Sequence, residues 1–166
     1  MGGGGLLPYG RQRPADRALG RHLSVSCLYP PGHTSIDGPT EVEDRHLTDA
    51  TKAVVREMIE QVLIPGGDPH WVDEWIDDAY IQHNAEEPDG LAPFKALAVA
   101  PEKPLLYQEI ILLVGEGNFV ATLCKATWDD APVAQVDLFR LENSKIIEHW
   151  DDSDMVTEST VNSGKF

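Results

Sequence analysis

The sequence predicts an α+β domain in which N-terminal helices pack on one face of a curved antiparallel sheet. Two observations carry this. Apolar residues recur at helical spacing in the first half of the chain, and beyond Pro104 they alternate at strand period between turn-rich tetrads. Helices followed by a meander, rather than strands alternating with helices, point to α+β and not to a parallel α/β sheet.

The elements follow in order. Thr48 or Asp49 can cap a first helix whose Val54, Val55, Met58, Ile59, Val62 and Leu63 form one stripe, closing at Pro65-Gly66-Gly67. "HWVDEWIDDAY" reads as a short second helix with Trp71, Trp75 and Ile76 inward. "YIQHN" at 80 to 84 reads as extended before the turn signals of "AEEPDG", and "LAPFKALAV" as a brief third helix. Four strands then follow: "LLYQEIILLV", turn "GEGN", "FVATLCKAT", turn near "WDDAP", "VAQVDLFRL", turn "ENSK", and "IIEHWD".

Composition narrows the function. The 166 residues suit one domain, and 28 Asp and Glu against 13 Lys and Arg give a net charge of −15. Such a surface repels phosphate backbones and anionic headgroups, so neither nucleic acid nor membrane is an expected partner. The two cysteines, Cys27 and Cys124, have no ligand-like spacing, and no stretch resembles a membrane span or a signal peptide; a reducing, cytoplasmic setting is expected. "HWVDEW" lacks HExxH spacing and "GEGN" lacks a phosphate-loop context, so no metal and no cofactor are expected. Residues 1–44 form an irregular arm: the first 40 contain eight Gly and five Pro. Residues 153–166 form a tail, which leaves 45–152 as the domain.

The last hairpin contains the most chemistry. A turn centred on Asn143-Ser144 pairs Leu141 with Ile146, Phe139 with Glu148 and Asp137 with Trp150. By alternation, Gln135, Asp137, Phe139 and Leu141 then share a face with Ile146, Glu148 and Trp150. Val136, Leu138, Arg140, Ile147, His149 and Asp151 take the other face. A carboxylate beside a Trp, a Phe and a Gln reads either as a pocket wall or as a solvated face.

The order of helices, "YIQHN", a helix and a meander ending "VDLFRLENSKIIEHWD" resembles the SnoaL-like polyketide cyclase group of the nuclear transport factor 2-like superfamily. The likeness covers residues 45 to 152 and rests mainly on "YIQHN", "DLFR" and "KIIEHWD". It implies a cone-shaped domain whose sheet and helices enclose a deep apolar cavity, and a homodimer formed through the outer sheet face. It also implies an acid/base aspartate on the penultimate strand, which here is Asp137. The family's His-x-His strand corresponds to Leu123 and Lys125. Lys125 supplies a cation near the carboxylate in that alignment, whereas a two-residue turn at Asp129-Asp130 turns it away and puts Thr122 and Cys124 beside Asp137.

His83 is the expected catalytic partner of Asp137, by hydrogen-bonding a substrate carbonyl, with a structural histidine as the alternative. Trp150, Phe139, Gln135, Tyr80, Asn84, Trp75 and Lys125 are the expected substrate-binding set, and Tyr80 is either an oxyanion donor or a packed phenol. Desolvation is expected to raise the Asp137 pKa toward neutrality, suiting it to move a proton alpha to a carbonyl. On that basis Asp137→Asn costs activity and not stability. The activity implied is a cofactor-independent lyase or isomerase acting on an apolar carbonyl compound. The alternative is a non-catalytic small-molecule-binding or assembly domain. Epoxide hydrolysis requires a further Asp and an Arg facing the same water, and Arg140 is read as facing away.

Overall fold

The computed structural model describes residues 33–84, 87–100 and 105–156. The arm and tail readings for 1–32 and 157–166, and Cys27, lie outside the described residues. Helix α1 spans Thr48–Met58 and runs on through a π-helical turn at Ile59–Leu63. Val55, Met58, Ile59 and Val62 from the predicted stripe are buried. Thr48 does not cap it by side chain. Its hydroxyl accepts from Gly117 N and donates to Arg45 O, each at 2.8 Å. Thr51 Oγ1 contacts Gly117 O at 2.6 Å. The helix start is thus tied to the Gly117-Asn118 turn between strands. Gly117 has φ +58°, and a Cβ there would stand 1.9 Å from Glu43 O, so only glycine fits.

The second predicted helix is mostly a strand. After a 3₁₀ turn at Pro69–Trp71, N-capped by Asp68 Oδ1 on His70 N at 3.0 Å, α2 is one turn, Val72–Trp75, and β1 runs Ile76–Gln82. Asp77 Oδ1 accepts from Ala79 N at 2.9 Å, a local bond that competes with helix. Parallel pairing with the last strand then decides the conformation, overriding a weak propensity. Helix α3 spans Leu91–Val99 as predicted, and β2 (Leu105–Glu116), β3 (Phe119–Trp128), β4 (Ala131–Glu142) and β5 (Lys145–Met155) form the meander. The sheet order is β1-β5-β4-β3-β2. The helices cover one face, where Val55, Met58, Ile59, Val72, Tyr80, Tyr107, Val120, Phe139 and Ile146 form the core.

Two turns set the register. Asp129 and Asp130 have φ 47° and 67°, and Asn143 and Ser144 have φ 51° and 63°, the signature of two-residue type I′ hairpins. The first pairs Thr122 with Asp137 and Cys124 with Gln135, and sends Lys125, opposite Ala134, to the outer face. The second pairs Leu141 with Ile146 as expected, but the register then shifts. Arg140 faces Glu148, Phe139 faces His149, Leu138 faces Trp150 and Asp137 faces Asp151. Ile147 is the extra residue of a β-bulge, which reverses the sidedness of every later β5 residue. His149 and Asp151 therefore point inward, and Glu148 and Trp150 outward, the reverse of the expectation from strict alternation.

The body also extends past the sequence-based limits. β5 continues to Met155, and residues 34–43 lie against the sheet: Glu43 exchanges bonds of 2.9 and 3.0 Å with Asn118, and Trp150 Nε1 donates to Asp37 O at 2.9 Å.

A candidate acid-base site on the inner sheet face

Asp137 is fully buried near the middle of β4 and accepts four side-chain hydrogen bonds. Its Oδ1 takes Tyr107 Oη at 2.7 Å, Gln135 Nε2 at 3.0 Å and His149 Nε2 at 3.2 Å, and its Oδ2 takes Thr122 Oγ1 at 2.8 Å. The donors come from β2, β3, β4 and β5, all on one face by alternation. Four donors match the roughly four lone-pair positions of a carboxylate, so the charge is met entirely by protein.

The imidazole of His149 lies parallel to the Phe139 ring, centroids 4.6 Å apart at 11°, and stacks more loosely on Tyr80 at 6.4 Å. Its Nδ1 is 3.2 Å from Gln82 Nε2, an amide that also reaches Tyr80 Oη at 3.1 Å and Glu87 Oε2 at 2.9 Å. Asp151 Oδ2 accepts from Gln135 Nε2 and Asn84 Nδ2, each at 3.2 Å, while its buried Oδ1 has no hydrogen-bond partner.

Burial raises the Asp137 pKa, but the hydrogen bond and charge of His149, with the bonds from Gln135 and Tyr107, outweigh it. The result lies below the ordinary carboxylate value. The expected rise toward neutrality is therefore reversed, because the carboxylate is desolvated but not unpaired. Burial lowers the His149 pKa, whereas its bond to Asp137 and the charges of Asp151, Asp137 and Glu87 raise it to a net increase. The Gln82 amide pulls the other way by donating to Nδ1. Tyr107 and Tyr80 are pushed well above the ordinary phenol value, first by burial and then by these carboxylates, so both remain neutral phenols, Tyr107 donating to Asp137 and Tyr80 accepting from Gln82. The Cys124 thiol is pushed up to about 11 by burial, which removes it as a nucleophile.

The structure brings Asp137, Gln135, Phe139, Tyr80 and Asn84 of the expected set into one inner-face network. It does not bring His83, Trp150, Lys125 or Trp75 there. His83 follows Gln82 on β1 and turns outward, bonding Glu148 Oε1 through Nε2 at 2.9 Å and stacking on Trp150 at 4.5 Å. Trp75 instead lines an open groove of about 720 Å³ with Trp71, Glu60 and Asp68, at the far end of α1. Sequence reasoning missed His149, Tyr107, Gln82 and Asp151. For His149 and Asp151 the bulge hid the signal; for Tyr107, alternation in "LLYQEI" was available, but two further bulges in β2 obscure its facing. A pocket of about 160 Å³ is lined by Tyr80, Glu87, Pro88, Pro93, Phe94 and Leu97, between β1 and α3. Gln82 links Tyr80 and Glu87 of that pocket to His149. Asp137 lines neither cavity: its enclosure is by side chains.

Neither a family model nor a curated protein sequence matches the chain. Solved structures do. A ketosteroid isomerase-like protein from Kribbella flavida superposes with TM-score 0.55 at 13% identity, over 69% of this chain and 84% of that one. This chain has the nuclear transport factor 2-like fold. An LEH-like epoxide hydrolase from M. tuberculosis matches with TM-score 0.53 at 16% identity, over 64% and 84%. A polyketide cyclase-like protein from Acidithiobacillus ferrooxidans gives 0.51 at 13%, over 63% and 87%. At these identities the likeness is one of fold, and chemistry must be argued from the residues.

Proposed function

We propose that the protein is a cofactor-independent lyase or isomerase that moves a proton on a small apolar carbonyl compound, with Asp137 and His149 as one acid-base unit. The observation that carries this reading is a fully buried, ionised carboxylate held against an imidazole whose other nitrogen meets the Gln82 amide, which also bonds Tyr80 and Glu87 of a pocket wall. Asp137 fixes the ring and stabilises its positive charge, and His149 takes and returns the proton. Tyr107 supplies the neutral donor. By swinging its hydroxyl from Asp137 Oδ1 to a substrate oxygen, it would both stabilise an enolate and free one lone pair on the carboxylate. Aldol cyclisation, double-bond shift and dehydration all use these steps. That the fold's solved relatives include isomerase-like and cyclase-like proteins supports the class. Epoxide hydrolysis fits less well. Asp151 supplies a second inner carboxylate, but Arg140 lies on the outer face, bonded to Glu148 and Glu142 at 2.6 and 2.5 Å.

A second reading, a binding or assembly domain, is favoured by the saturation of Asp137 and by a pocket smaller than the roughly 300–1,000 Å³ usual for ligand sites. Solvent-deuterium exchange at the alpha carbon of cyclohexanone, a probe small enough for the pocket, separates the two. The enzyme reading expects exchange that saturates with ketone and falls by roughly 10²- to 10⁴-fold in Asp137→Asn and His149→Gln. Exchange no faster than buffer, with saturable ketone binding intact, would leave the binder. The assembly proposed with either is a homodimer through the outer sheet face, in a cytoplasmic setting that suits the buried free thiol of Cys124.

A further inference from the structure

We propose that His33, Asp37 and His83 form a binding site for a zinc-type divalent metal ion on the sheet face opposite Asp137. One ligand atom from each of the three lies within 4.8 Å of the others. Asp37 Oδ1 and His83 Nδ1 are 3.1 Å apart. Two ligands at about 2.0–2.1 Å from a tetrahedral ion stand about 3.3 Å apart, so this pair already has coordination spacing.

His83 is prepared as a ligand. Its side chain is 1% exposed, and its ring is clamped flat against Trp150 with an 8° interplanar angle. Nε2 is held by Glu148 Oε1 at 2.9 Å, and Glu148 Oε2 in turn accepts from Arg140 Nε at 2.6 Å. A carboxylate behind the far nitrogen of an imidazole is the arrangement that orients metal-bound histidines and raises their basicity. The near nitrogen faces two acceptors, Thr34 O at 2.6 Å and Asp37 Oδ1, so that point must be filled by a proton or by a metal ion. Binding exchanges one for the other, and the displaced proton leaves to solvent. His33 stands edge-on to His83, ring centroids 5.6 Å apart, with Asp89 Oδ2 3.8 Å from its Nε2.

Two imidazoles and one carboxylate suit zinc, cobalt or nickel rather than calcium or magnesium, which take oxygen donors. Three protein ligands leave a fourth position to solvent. The ligands lie on segments far apart in the chain, so no spacing motif announces them. The ion would fasten residues 33–37 to the outer face, where Gly38 already packs on Trp150 and Glu148 with no room for a Cβ.

The test uses the tag-free full chain, stripped with chelator and titrated with zinc chloride by calorimetry. The expected result is one ion per chain, with His33→Ala and Asp37→Asn each weakening binding by about tenfold or more. Both residues are at least partly exposed, so the metal-free variants should keep the wild-type unfolding midpoint. Zinc should raise that midpoint in wild type and not in Asp37→Asn. No saturable binding up to about 100 μM, a Kd corresponding to roughly −5.5 kcal/mol, would overturn the proposal. Equal binding by wild type and both variants would overturn it too, since the ion would then sit elsewhere on this acidic chain.

Discussion

Asp137 illustrates how far a single residue can be read. Its presence among apolar neighbours marks it as special, and burial with four donors is the structural answer. The same bonds reverse the expectation for its amide. In Asp137→Asn the amide keeps its oxygen on Tyr107, Gln135 and His149 only by turning its NH₂ to Thr122 Oγ1, whose hydroxyl must then accept instead of donate, while His149 loses its counter-charge. Stability should therefore fall by about 2–4 kcal/mol, the range for breaking a buried charged hydrogen-bond pair, visible as a lower denaturant midpoint at unchanged slope. Titration supplies a second prediction. Asp137 is held below its ordinary value, so its contribution is complete above about pH 4 and is lost as pH falls through the folded pKa. His149 is held above its ordinary value, so its contribution is complete below about pH 6.5 and is lost as pH rises through the folded pKa. The stability gap between wild type and His149→Gln should accordingly be widest between about pH 4 and 6.5 and narrow on the alkaline side. A gap that grows with pH would refute the pairing.

Elements were legible where period is strict and unreadable where one residue breaks it. The stripe of α1, helix α3 and all four meander strands follow from spacing, and the Asn143-Ser144 turn from its residue types. The inserted Ile147 does not, because a bulge leaves the hydrophobic pattern of "KIIEHW" compatible with both registers. That one residue exchanged His149 for Trp150 at the site and moved His83's partner, Glu148, to the outer face. "HWVDEWIDDAY" failed for a different reason: its helical appearance is local, and its strand is made by β5, some 70 residues away. The turns offer a test of their own. Ser144 holds φ 63°, a left-handed conformation costing non-glycine residues roughly 1–2 kcal/mol. Net of glycine's own entropic cost, Ser144→Gly should stabilise by about 0.5–1 kcal/mol, raising the thermal midpoint by roughly 2–4 °C.

At the scale of the molecule, the outer face is the unusual surface. Leu112, Val114 and Val136 are about half exposed and Leu138 is half-buried, an apolar surface running across β2, β3 and β4 on an otherwise strongly acidic chain. The homodimer proposed above would cover it, and light scattering at low micromolar concentration should then give about twice the chain mass of 18.3 kDa. Val136→Glu, placing like charges across the two-fold, should return a monomer that keeps its fold. Among the described residues no helix is long and apolar enough to cross a membrane.

The parallel pairing of β1 with β5 has a further consequence, for biosynthesis. Among the described residues the first strand to leave the ribosome pairs with the last alone, so β1 must wait, with Tyr80 and Gln82 uncovered, until residues around Ile146 to His149 have emerged. Such long-range closure slows folding and lengthens the exposure of apolar surface. A nascent chain halted before Lys145 would lack both the partner of its edge strand and the imidazole of its acid-base pair. Ribosome-bound chains stalled there should remain open to protease, and the 166-residue chain, once released from the ribosome, should resist it.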